Sequence, residues 1–240
     1  MDTAHPAIVV AVLPHGEHGA VVRFLTEAEG VVAGYVAGGR SRALRPVLQP
    51  GNGVALRLRR RTGTLPGATV ELTRARTALG LDRATAAATG YLTALVASVV
   101  DEGVAHPRLY AALDGVLEAM ALAADPTVWQ AGLVRFELLL LAELGFGLDL
   151  SACAATGAPA AEADLAYVSP KSSQAVGRAA GEPYAAKLLP LPAFLVTGGP
   201  ATAAEVAAGM RTTGWFLERD VLTGKAAGLV GVRGEIGSRR

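Results

Sequence analysis

Cysteine is almost missing from this chain of 240 residues, with Cys153 its only thiol. No internal disulfide can form, and a reducing compartment suits the sequence. Lysine is nearly as scarce, at three positions: Lys171, Lys187 and Lys225. The one Gly-Lys pair, Gly224-Lys225, is followed by alanine, so a phosphate loop is excluded. No Gly-x-Gly-x-x-Gly occurs, which removes the dinucleotide fingerprint, and no Gly-x-Ser-x-Gly, which removes a nucleophile elbow. The four histidines, His5, His15, His18 and His106, do not sit at metal-ligand spacing with carboxylates. The closest approach to a metal pair, His15-Gly16-Glu17-His18, reads instead as a polar hairpin turn, because two residues three apart across a glycine have no helix to align them. No residue is left to nominate as catalytic, so a binding protein rather than an enzyme is expected, with no metal and no cofactor. Long uncharged runs are lacking too. The most apolar segment, Leu133 to Leu150, carries Arg135, Glu137 and Glu143 and does not read as a membrane span. No basic stretch precedes the first apolar run, which argues against a secretory signal and for a cytoplasmic protein.

Aromatics make up only 5% of the residues, while 51% are hydrophobic, much of that alanine and valine. The chain is therefore folded, with elements packed closely around few large anchors. Its net charge of +1 hides a segregation. Residues 1–80 hold ten arginines and no lysine against five acids, a balance near +5. Residues 81–185 hold five basic and twelve acidic residues, near −7, and the remainder is near +3. A basic front on an acidic middle is the asymmetry of a chain that meets a polyanion at one end.

The first 80 residues have the rhythm of strands. Short apolar or alternating runs at Ala7–Leu13, Gly19–Thr26, Gly30–Ala37, Gly53–Arg61 and Thr69–Ala75 are separated by turn-forming clusters and one long loop from Gly38 to Pro50. In the fourth run Val54, Leu56 and Leu58 share one face by the two-residue period, and Arg57, Arg59 and Arg61 the other. Five short strands with one long loop suit a small, partly open Greek-key barrel of the OB type, and another small barrel would give the same pattern. From Leu81 the period becomes helical. Helices are expected around Tyr91–Val99 and Leu109–Met120. A third runs from Asp125 as cap, through Pro126, to Gly145 as stop, and a last one spans Ala201–Leu222. Residues 151–185, rich in Ala, Gly, Ser and Pro, read as an irregular insertion, and the glycine-rich tail after Thr223 as loose. The expected class is α+β: an N-terminal five-stranded OB-type barrel over 1–80, then a helical domain over 81–240 that contains the insertion.

The positive signal is a basic cluster: Arg40, Arg42 and Arg45 on the long loop, Arg57, Arg59, Arg60 and Arg61 on the fourth strand, then Arg74 and Arg76. Guanidinium groups on a rigid sheet surface can clamp phosphates bidentately. The competing reading is a solvated face in an arginine-biased sequence, and the acidic middle counts against it. Only Phe24 and Tyr35 could stack on bases in this region, and both read as core. The affinity should then come from phosphate neutralisation, with little sequence preference and a steep dependence on salt.

The chain also resembles the RecO family of DNA repair and recombination mediators, nearly end to end. The N-terminal part shows Gly16-Glu17, Val22-Arg23-Phe24-Leu25-Thr26, Gly38-Gly39-Arg40 and Leu48-Gln49-Pro50. The middle reads Arg135-Phe136-Glu137-Leu138, then Leu144-Gly145-Phe146-Gly147-Leu148-Asp149-Leu150 and Cys153. Thr156-Gly157, Tyr167-Val168-Ser169-Pro170-Lys171 and Leu189-Pro190-Leu191-Pro192 follow, and Arg211-Thr212-Thr213-Gly214-Trp215-Phe216-Leu217-Glu218 completes the pattern. The resemblance implies an OB fold, a helical domain and an insertion between helices. It implies binding of single- and double-stranded DNA, strand annealing, and help in loading RecA onto strands coated by single-strand-binding protein (SSB), with RecR and the acidic tail of SSB as partners and the nucleoid as the place of work. Some members of the family hold zinc with four cysteines in the insertion. Here Thr156 stands where a Cys-x-x-Cys needs its second thiol, so no zinc is expected and Cys153 reads as a small buried packing residue. The SSB tail, acidic and apolar, needs a hydrophobic groove with a basic rim, for which Arg108, Arg135, Lys187, Arg211 and Arg219 are candidates. Structural roles are open for each, Arg135 by pairing with Glu118 or Glu143, and Arg219 beside Glu218 and Asp220. Two other classes fit the same charges: an adaptor that binds an acidic protein surface, and an RNA-binding OB protein.

Overall fold

The computed structural model describes residues 4–59 and 64–237. It divides into two compact units, one of residues 1–121 with 228–240 and one of residues 122–227. Secondary structure does switch from strand to helix near residue 80, but the first unit keeps two helices beyond that point and recovers the C-terminal segment.

In the first unit five strands close a barrel in the order β1-β2-β3-β5-β4. They are β1 (His5–His15), β2 (Gly19–Thr26), β3 (Gly30–Val36), β4 (Gly53–Arg59) and β5 (Gly67–Arg74). All pairings are antiparallel except the β3–β5 contact that closes the barrel, at Tyr35 and Gly67. The two-residue period sorts the side chains. Val9, Val22, Phe24, Val32, Val54 and Leu56 are buried inside the barrel, while Tyr35, Arg57 and Arg59 alternate outward. The four-residue sequence His15-Gly16-Glu17-His18 forms the β1–β2 hairpin tip, with Gly16 at φ +61°, where a residue without Cβ is favoured. Helix α1 (Arg83–Val99) is capped by Asp82, whose side chain accepts from the Thr85 N–H, and it lies against β1 and β2. Helix α2 (Pro107–Leu122) buries Leu109, Leu113, Val116, Leu117 and Met120 at helical spacing.

The second unit pairs α3 (Pro126–Glu143) with α5 (Ala203–Asp220). Asp125 caps α3 with Pro126 at the first helical position, and Thr202 and Glu205 form a reciprocal capping box on α5. The helices meet over Ala131, Val134, Phe194 and Val206. Gly209 permits the close approach, since a Cβ there would lie 2.9 Å from Val134 Cγ1. Buried between them, the Thr213 hydroxyl donates to Glu137 at 2.5 Å, which gives a carboxylate with no exposure a partner.

Two expectations need correction. The stretch 151–185, read as irregular, supplies two strands, β6 (Leu165–Val168) and β7 (Ala175–Gly177), and the short α4 (Arg178–Gly181) after β7; with β8 (Leu189–Pro190), just beyond it, they form a three-stranded sheet in the order β7-β6-β8. Strands of two to four residues are too short to show a period. The tail read as loose forms α6 (Leu229–Gly237) and packs on α1. With Gly231 and Gly234 inside it, that helix owes its stability to packing, with Ile236 buried, rather than to propensity.

Candidate nucleic-acid interface

Three groups emerge from the predicted basic cluster, together with two residues, Arg60 and Arg61, that lie outside the described residues. The first group sits on the loop between β3 and β4, which is ordered by its own chemistry. Its turns close through the Arg45 N–H to the Ser41 carbonyl (3.0 Å) and the Leu48 N–H to the Leu44 carbonyl (2.9 Å). Leu48 is buried in the barrel core, and Leu44 and Val47 pack against it. Asn52, with no exposure, secures the end of the loop: its Nδ2 donates to the carbonyls of Pro46 (2.8 Å) and Val47 (3.1 Å), and its Oδ1 accepts from the Arg76 N–H at 2.8 Å. On this platform Arg40, Arg42 and Arg45 are exposed. Arg40 ties the loop to the hairpin tip, donating from Nη1 to the carbonyls of Gly16 (3.3 Å) and Glu17 (3.1 Å). Arg40 and Arg45 also line a groove of about 490 Å³ whose floor includes Val12, Pro14, Ala20 and Leu48.

Arg57 and Arg59 form the second group, on the outer face of β4, opposite Thr69 and Gly67 of β5. Both are exposed, and among the described residues neither they nor Arg42 and Arg45 form an ion pair. Solvated, unneutralised guanidinium groups on a rigid strand and a pinned loop are what a polyphosphate chain attracts.

The third group, Arg74 and Arg76, is a correction. The side chain of Arg76 is 1% exposed and reaches Asp114 of α2 at 2.5 Å and Glu118 at 3.6 Å. Its Nη1 donates to the Gly51 carbonyl at 2.9 Å. Arg74 bridges the same carboxylates at 2.8 and 3.3 Å. Two arginines facing two carboxylates make a neutral clasp between the barrel and α2. A phosphate cannot reach the buried Arg76, and Arg74 is already neutralised.

The residues considered for a protein tail also sort unequally. Arg135 lies over the Phe194 ring, 5.1 Å from its centroid, and donates to the carbonyls of Phe194 and Gly199. It is engaged within its own unit, and among the described residues of that unit its partners do not include Glu143. Arg219 lies 4.8 Å over Phe216, pairs with Asp220 at 2.7 Å and donates to the Pro170 carbonyl. Lys187 and Arg211 are exposed on the second unit, and Arg108 is exposed on the first. One turn along α5 from Arg211 stands Trp215, 49% exposed, which periodicity alone marked only as part of a helix. Tyr35 was read as core and faces outward instead.

Cys153 is buried, and its sulfur accepts from the Gly177 N–H at 3.2 Å. Hydrogen bonds from the Thr156 side chain and then from Gly177 lower its pKa from 9.0 to about 7. Its neighbours offer a hydroxyl and an amide rather than further thiolates, so this donor set does not fit a zinc site. Among the described residues no three His, Cys, Asp or Glu side chains converge as metal ligands, and no helix is long and apolar enough to cross a membrane.

A small closed barrel with unneutralised arginines on its outer face and loop, joined to a helical unit, defines an α+β protein of the barrel-and-helix class. Residues 1–76 match the family described as Recombination protein O N terminal, and residues 80–225 match Recombination protein O C terminal. A DNA repair protein RecO of Caulobacter vibrioides strain NA1000 is 44% identical over 224 residues, covering 92% of this chain and 90% of that protein. The DNA repair protein RecO of Rhodospirillum rubrum is 44% identical over 228 residues, covering 92% and 89%. The chain belongs to the RecO family of DNA repair proteins.

Proposed function

We propose that this protein acts in DNA repair and recombination by binding DNA through its barrel, single- and double-stranded alike, and by annealing complementary strands. The observation that carries the reading is the pair Arg57 and Arg59, side by side on β4, exposed and without a carboxylate partner among the described residues. Arg42 and Arg45 extend the same character onto the loop. Neutralising phosphates releases their counterions, and because no base edge needs to be read, binding is largely indifferent to sequence. A surface that grips two strands by their backbones holds them at high local concentration with their bases free to pair, which is the physical basis of annealing without catalysis.

The second unit fits a protein partner. Arg211 and Trp215 stand exposed at i and i+4 on α5, a cation beside an apolar ring, and Lys187 adds a further exposed charge on that unit. This chemistry suits an acidic, apolar peptide, and the reading assigns it to the SSB tail, with RecR as a second partner and loading of RecA onto SSB-coated strands as the outcome. The test is fluorescence anisotropy with equal-length single-stranded DNA, duplex DNA and RNA at low salt, alongside an annealing assay. Binding of both DNA forms, with annealing lost when Arg57 and Arg59 are both replaced by alanine, supports the reading. Absence of any DNA binding at low salt contradicts it and leaves the protein an adaptor, and a strong preference for RNA contradicts it in favour of an RNA-binding protein.

A further inference from the structure

We propose that Tyr35 is a stacking platform for an unpaired nucleobase, and that it gives the barrel a preference for single strands over duplex. The inference rests on the nucleic-acid reading above and adds to it a residue that backbone neutralisation does not need.

Val32 and Val36 of β3 belong to the barrel core, so the strand's period turns Tyr35 outward, where it is half-buried rather than enclosed. The ring is seated on glycine. A Cβ added to Gly19 of β2 would lie 2.4 Å from both Cε2 and Oη of Tyr35, so the ring rests directly on the Gly19 backbone. His15 closes one side, its ring edge-on to Tyr35 with centroids 5.7 Å apart and an interplanar angle of 77°. A ring held this way gives up little further freedom when something stacks on it.

Among the described residues, the ground on the other side of Tyr35 is a glycine. Gly67 of β5 pairs with Tyr35 on one side and with Arg59 on the other. Gly67 is exposed, and a Cβ added to it would meet no atom within 4 Å. Two strand spacings, about 10 Å in all, therefore separate an outward aromatic residue from an outward guanidinium, and among the described residues no side chain stands at Gly67 between them. That is room for one nucleotide, its base on Tyr35 and its phosphate toward Arg59. Arg57 stands two residues further along β4 to receive the neighbouring phosphate. Glu71 on β5, opposite Ala55 in the register, and Glu17 in the hairpin tip are both exposed, and neither pairs with Arg57 or Arg59. A duplex keeps its bases stacked inside and cannot use the ring. A single strand can, whatever its sequence, because every base has a π-face.

The test compares three probes of equal length by anisotropy: oligothymidylate, the same backbone without bases, and a duplex. The proposal predicts that Tyr35→Ala weakens binding to oligothymidylate by about tenfold and leaves the abasic strand and the duplex unchanged. Tyr35→Phe keeps the ring and should match the wild type, while Tyr35→Leu fills the seat over Gly19 without a π-face and should fall with alanine. If the alanine variant melts early, the Phe and Leu pair decides. Unchanged binding of oligothymidylate by Tyr35→Leu, or an equal loss on all three probes, overturns the platform. Failure of the wild type to bind any of the three would instead sink the nucleic-acid reading beneath it.

Discussion

Among single residues, Arg76 shows how chemistry that looks like a binding group can be structural. Its guanidinium joins the end of β5 to Asp114 and Glu118 of α2 and to the Gly51 carbonyl. Removing it leaves two carboxylates facing Arg74 alone and Gly51 without its donor, and breaking a buried pair costs on the order of 3 kcal/mol. Arg76→Met should therefore lower the urea midpoint strongly while leaving the DNA affinity of the folded fraction intact. A variant of normal stability and poor affinity would reverse that assignment. Cys153 carries a large pKa shift. Its fold-stabilised form is the thiolate, because hydrogen bonds from Thr156 and Gly177 outweigh burial. The thiolate contribution to stability is thus complete above pH 9.0, its ordinary value, and is lost as pH falls through about 7. Ultraviolet titration of the thiolate should show a midpoint near 7, absent in Cys153→Ala, and the stability of that variant should rise less than the wild type's between those two values. A midpoint near 9 would contradict it.

At the level of elements, the barrel was legible because its alternation is clean: Val54, Leu56 and Leu58 against Arg57 and Arg59 admits one register. The helices were legible from their caps, Asp125-Pro126 above all. What the sequence hid was held together at long range. The clasp of Arg74 and Arg76 depends on carboxylates about 40 residues away on α2, so local alternation alone could not distinguish these arginines from Arg57 and Arg59. The small sheet of the second unit depends on pairings between strands of two to four residues, and α6 on its seat against α1. For Tyr35 the signal was present, since it alternates with Val36 and Gly34, but an aromatic in a short strand reads by default as core. Gly30 shows how tightly one connection is drawn: at φ +64°, a Cβ there would lie 1.7 Å from the Val104 carbonyl oxygen. Gly30→Ala should cost at least ~2 kcal/mol through backbone strain and that collision, read as a fall in thermal midpoint. A neutral result would mean that the 101–105 segment does not lie against β3. Thr202→Ala, which dismantles the capping box on α5, should cost about 1 kcal/mol, and a stability equal to wild type would show that the cap does not matter there.

For the whole molecule, the division of charge follows the division of labour proposed above. The barrel carries exposed arginines that no described carboxylate neutralises, while the excess acid of the middle segment partly serves to hold the barrel to α2. The proposed function makes the barrel a binder whose affinity is set by counterion release, so the most direct measurement is affinity for a labelled single-stranded oligonucleotide across a salt series. With each phosphate contact worth about 0.7 in the slope of log affinity against log salt, the wild type should fall steeply. The Arg57→Ala, Arg59→Ala double variant should lose about 1.4 of that slope. A slope that stays the same in the double variant, or a wild type whose binding ignores salt, would contradict the account.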